Sequence, residues 1–179
     1  MKTLHLYIQE SLLDKTSNKV KDAHNIDFKS EISKYIKKHF RTHFTISDEP
    51  NEDGFYEVSS TGNVVMYDLY TTSLTNGLFV WKECRDFCCG YGRNLTSLDG
   101  APRICKGKFK CCCSDLLTSL EGGPEKVMGD YICSHCKSLK SLNGLPKQID
   151  GDLDCKGYQS QFNELDIRKM CDVKGNILC

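Results

Sequence analysis

Cysteine is missing from residues 1–83; all twelve lie between Cys84 and Cys179 of the 179-residue chain. An excess of charge of either sign is missing too, since Lys plus Arg and Asp plus Glu number 24 each. A general nucleic-acid binder carries a basic surplus, so direct nucleic-acid binding is not expected. No apolar run approaches the roughly 18 residues of a membrane span. The short stretch Leu4-His5-Leu6-Tyr7-Ile8, interrupted by Gln9 and Glu10, is no signal-peptide core. The chain also lacks G-x-x-x-x-G-K-[ST], G-x-G-x-x-G and H-E-x-x-H, the patterns that cradle phosphate or hold catalytic zinc. Four of the five histidines (His5, His24, His39, His43) lie in the part without thiols. No enzyme, cofactor or membrane association is therefore expected. Without an export signal, the expected setting is a reducing cytoplasm rather than an oxidising compartment.

What is present is a period. Cys89, Cys111, Cys133 and Cys155 stand 22 residues apart. Leu95-Thr96-Ser97-Leu98-Asp99-Gly100-Ala101-Pro102 superposes without gaps on Leu117-Thr118-Ser119-Leu120-Glu121-Gly122-Gly123-Pro124 and on Leu139-Lys140-Ser141-Leu142-Asn143-Gly144-Leu145-Pro146. After each Pro comes x-x-[apolar]-x-Gly-x-[apolar]-x-Cys. Disulfides and zinc sites impose no such period; a structural repeat does. Clear copies cover residues 95–116, 117–138 and 139–160. The pattern fades outward, to Phe87 and Cys89, to Val65 and Tyr67 one period earlier, and to Ile177 and Cys179 after a 24-residue step. About five rungs result, with an imperfect sixth at Val65.

A 22-residue unit with one short strand cannot bury its apolar face alone, whereas stacked units can. The expectation is a mainly β, leucine-rich-repeat-like solenoid over residues 63–179, with a small α+β cap in residues 1–62. Stacking in register places Cys89, Cys111, Cys133, Cys155 and Cys179 as an inward ladder of unbridged thiols. In the cap, Ile32, Tyr35, Ile36, His39, Phe40 and Phe44 recur at helical spacing, which predicts a helix over 29–42 with Asp27 or Ser30 as N-cap. Pro50-Asn51-Glu52-Asp53-Gly54, between Phe44-Thr45-Ile46 and Phe55-Tyr56-Glu57-Val58, reads as a hairpin turn.

The stretch Tyr131-x-Cys133-x-x-Cys136-x-x-Leu139 resembles a leucine-rich repeat of the Cys type. The whole unit is most similar to the L-x-S-L-x-G-x-P-x-x-V-x-G-x-F-x-C repeats of proteins from phages of gut bacteria and their hosts. The chain departs from the family pattern at two places. Ser114, Tyr158 and Gly92 stand where Cys136 does, and Cys84, Lys106 and Asp150 occupy the place of the first Leu. The corner there needs other partners for its backbone. The resemblance implies a phage protein that binds a host protein, a defence nuclease included, and inhibits or redirects it. Residues 1–14 resemble a segment found ahead of otherwise different phage proteins, which implies a packaging tag and a virion-associated role as the alternative.

In leucine-rich repeats the outward strand row lines the concave face and binds partners. Here that row comprises Asp86, Lys108, Lys110, Asp130, Ile132, Asp152, Asp154 and Lys156. Its second rung is basic and its fourth acidic, which suits a protein partner of complementary charge. No metal site is expected. Cys133-Ser134-His135-Cys136 is the lone C-x-x-C, and Cys113, His135 and Cys136 are the one conceivable ligand set for a metal- or redox-responsive module. Cys112, at the end of the basic rung, would be the thiol most open to oxidation if exposed. The final rung at Cys179 offers an edge on which a second copy could stack to form a homodimer.

Overall fold

The computed structural model describes residues 27–66, 72–74, 77, 79–157 and 162–179. The segment 1–14, the linker after it, and Tyr67 and Tyr158 of the repeat pattern lie outside the described residues.

Helix α1 (Phe28–His39) begins where the Asp27 side chain accepts the Ser30 N–H at 3.1 Å. It ends three residues before the expected limit. Phe40 is already extended, at φ −128° and ψ 126°, and its ring meets Trp81 edge-on at 5.4 Å. Ile32, Tyr35, Ile36 and Phe40 form the buried side. The basic residues Lys34, Lys37 and Lys38 face outward. The hairpin forms as read: β1 (Phe44–Ile46) pairs antiparallel with β2 (Tyr56–Ser60). The Asn51 side chain caps its turn by accepting the N–H groups of Asp53 and Phe55.

From there the chain winds as a mainly β solenoid. Each turn supplies two short strands rather than the single one expected. β3 (Val64–Val65), β5 (Phe87–Cys88), β7 (Phe109–Lys110), β9 (Tyr131–Ile132), β11 (Leu153–Asp154) and β13 (Ile177–Leu178) form a six-stranded parallel sheet, hence five turns. β4 (Phe79–Cys84), β6 (Ile104–Cys105), β8 (Lys126–Val127), β10 (Gln148–Ile149) and β12 (Asp172–Val173) extend the hairpin into a seven-stranded sheet. β2 lies parallel to β4, so this sheet runs unbroken from cap to repeats and one core serves both. The extra strand comes from [apolar]-x-Gly-x-[apolar]: the Gly-centred corner separates two inward side chains, such as Cys105 and Phe109, that belong to different sheets.

Besides the 24-residue last step, registers near the cap depart from the strict 22-residue period. Val64, not Val65, pairs with Phe87 and is buried, while Val65 is 37% exposed. Cys84 pairs with Cys105 rather than with Lys106, because Arg85-Asp86 turns a corner that takes Lys106-Gly107-Lys108 one turn later.

The second corner of the turn is the Leu-x-Gly bend. Gly122 and Gly144 have φ of +79° and +95°, and a Cβ on Gly144 would collide with the Leu120 carbonyl. Leu98 and Leu120 point inward there and donate their N–H groups to the carbonyls of Glu121 and Asn143, one turn on. Helix α2 (Glu164–Met170), capped by the Asn163 side chain, replaces this bend in the last turn and buries Ile167. Among the described residues no helix is long and apolar enough to cross a membrane.

Inside the solenoid, like stacks on like. Phe87 lies parallel to Phe109 at 5.8 Å, and Phe109 meets Tyr131 at 5.0 Å. Cys89, Cys111, Cys133 and Cys155 form the expected ladder, all buried and all free thiols. Burial pushes the first three thiols well up and Cys155 to about 12, so the ladder behaves as small apolar side chains. Cys179, expected to continue it, is exposed: among the described residues no further turn covers it.

Candidate interaction surface

The outward side of the six-stranded sheet separates into two rows that the sequence pattern merges. The first runs along the Gly-centred corner: Asp86, Lys108, Asp130, Asp152 and Asn176. Here the side chains hold the turns together. Asp86 accepts the Lys108 N–H at 2.9 Å, Asp130 that of Asp152 at 3.1 Å, and Asp152 that of Asn176 at 2.7 Å. Each carboxylate sits over a glycine of the next turn. A Cβ on Gly107, Gly151 or Gly175 would collide with Asp86, Asp130 or Asp152 respectively. Lys108 cannot accept, so Gly129 has no carboxylate over it, and the ammonium of Lys108 instead bonds Asp130 at 2.8 Å. That bond, with the Asp152 N–H, holds the Asp130 carboxyl below its usual range. Asp86, Lys108, Asp130 and Asp152, expected as partner contacts, are thus engaged by the fold.

The second row follows the strand centres. Strand register aligns Val65, Cys88, Lys110, Ile132, Asp154 and Leu178 in one line, each directly beside the next. Val65 and Leu178 are 37% and 38% exposed, and the four between them are half-buried among their neighbours. Among the described residues Lys110 makes no ion pair, and Asp154 accepts only the N–H of Lys156 two residues on, at a long 3.3 Å. Of the expected contact residues, Lys110, Ile132, Asp154 and exposed Lys156 make no side-chain bond to a neighbouring turn among the described residues, and Lys108, though paired with Asp130, is exposed.

The far edge of the sheet shows which partners the backbone finds where other residues stand in the place of Cys136. Tyr91, Cys113 and His135, 22 residues apart, all adopt left-handed backbone with φ of 61°, 57° and 59°. This turn directs their N–H groups to the carbonyls of Cys112, Ser134 and Lys156 on the next turn, at 2.7–3.0 Å. The Cys136 thiol adds a bond to the Cys111 carbonyl at 3.4 Å. Cys112 is buried and not exposed: its sulfur lies over Gly90, where a Cβ would come within 3.2 Å of it. Burial raises that thiol to about 12, which removes it as an oxidation-prone group.

Cys113, His135 and Cys136 do not converge. Cys136 is buried beneath the edge while His135 is exposed, and among the described residues no three His, Cys, Asp or Glu side chains are grouped to hold a metal ion. Sequence reasoning missed the Asp-over-Gly interlock. Its signal was present: Asp86 and Asp130 each precede a corner glycine by one turn less one residue, and at Gly129, where the interlock fails, Lys108 stands instead.

No protein-family model matches the chain, and no curated protein or solved structure matches it.

Proposed function

We propose that this protein is a non-catalytic protein-binding module that engages its partner through the strand-centre row. The carrying observation is that Lys110, Ile132 and Asp154 are presented side by side and, among the described residues, make no ion pair, while the aspartates of the adjacent corner row accept backbone N–H groups of the next turn. A cation, an aliphatic side chain and an anion on three successive strands form a polar-and-apolar pattern of the kind that fixes register and partner choice. The likeness of the repeats to those of gut-phage proteins extends the reading to a host protein as the partner, with inhibition or redirection as the outcome.

The test is capture of partners from bacterial host lysate under reducing conditions by tagged wild type, Lys110→Glu and Ile132→Asp, quantified by mass spectrometry. A protein recovered by wild type and lost from both variants, with far-UV spectra unchanged, is the expected result. Equal recovery by all three contradicts the assignment of this row.

A further inference from the structure

Resting on that reading, we infer from the row's spacing and charge that the partner element is an α-helix lying across the strands, with an acid–apolar–base stripe at positions i, i+3 and i+7. Adjacent strands are about 4.8 Å apart, so Lys110 and Ile132 are one step apart and Lys110 and Asp154 two, or about 9.6 Å. A helix rises about 1.5 Å per residue. Its i and i+3 positions are then about 4.5 Å apart along the axis and i and i+7 about 10.5 Å, each within about 1 Å of the row. An extended segment repeats a face only every ~6.8 Å and is out of step by the second strand. A strand added in the plane of the sheet would meet backbone, not this row of side chains.

Charge sets the order. Lys110 requires an acid opposite it, Asp154 a base, and Ile132 between them an aliphatic side chain. Val65 and Leu178, exposed at the two ends of the same line, call for apolar residues beyond the charged pair. Because the helix can run either way, the stripe is defined by one acid and one base flanking an apolar residue, not by chain direction.

The test uses labelled, Ala-rich helical peptides of equal length and helicity carrying Glu-Leu-Lys, Lys-Leu-Lys or Glu-Leu-Glu at i, i+3 and i+7, titrated by anisotropy against the full chain. Wild type is expected to prefer Glu-Leu-Lys over both others by about tenfold. Lys110→Glu should transfer the preference to Lys-Leu-Lys, and Asp154→Lys to Glu-Leu-Glu. Equal binding of the three peptides, binding of none, or an order unmoved by either substitution would overturn the helix. If lysate capture still depends on Lys110 while no peptide binds, the helix falls and the binding surface stands.

Discussion

The corner row and the strand-centre row lie two residues apart along each turn, and the sequence pattern groups them as one outward face. They differ in residue types, the corner being polar throughout and the strand centre mixed, and in what their polar atoms do. At the corner, each Asp takes a backbone N–H of the next turn that would otherwise lack a partner, so its charge is a structural group. At the strand centre the backbone is already paired by the sheet, Lys110 cannot accept an N–H, and Asp154 takes that of Lys156 within its own turn, not one from the next. Charge patterning therefore marks a surface only after the charges spent on backbone are subtracted. Here that removes the aspartates of the first, third and fourth rungs from the apparent basic-to-acidic gradient.

The difference can be broken most forcefully at Gly151. A Cβ there meets the Asp130 carboxylate and comes within 2.6 Å of the Gly129 carbonyl carbon. Gly151→Ala should cost about 3 kcal/mol by chemical denaturation, the upper range for overpacking. Next comes Asp130→Ala, which leaves the Asp152 N–H and the Lys108 ammonium without their acceptor. A loss of about 2 kcal/mol is expected, in the range for hydrogen bonds to a charged group. Because the Asp130 carboxyl titrates below its usual range in the folded state, its contribution is complete above the ordinary carboxylate pKa of about 3.9. It is lost as pH falls through the lower folded value. The stability gap between wild type and Asp130→Ala should thus narrow on acidification and be constant at neutral pH.

The core offers a smaller effect of opposite sign. The Tyr131 hydroxyl is buried and has no hydrogen-bond partner among the described residues, although its ring completes the aromatic stack. Tyr131→Phe should stabilise by about 1 kcal/mol, since an unsatisfied buried hydroxyl carries a desolvation cost that Phe avoids. The smallest effect belongs to the strand-centre row. Lys110→Glu should change stability by less than about 0.5 kcal/mol, as for surface positions outside the packing.

The period, the inward thiols of Cys89 to Cys155 and the hairpin were legible in the sequence, and the helix cap was narrowed to Asp27 or Ser30, because each rests on local chemistry or on a repeat long enough to align with itself. The Cys84–Cys105 pairing and the place of Val64 were not, because corners of unequal length shift register without altering the side-chain types on either side. The second strand of each turn escaped for a related reason: two-residue strands show no alternation. At the site, the sequence placed Lys110, Ile132 and Asp154 on one line. It could not separate them from Asp86, Asp130 and Asp152, whose role depends on a backbone group 22 or 24 residues away.

The central claim is that the strand-centre row binds and the corner row folds. It is tested most directly by quantifying lysate capture for wild type and for the reversal Lys110→Glu with Asp154→Lys, both confirmed folded by thermal melting. The account predicts a protein captured by wild type and absent from the reversal at matched melting temperature. Recovery of that protein at the same level by both would contradict it.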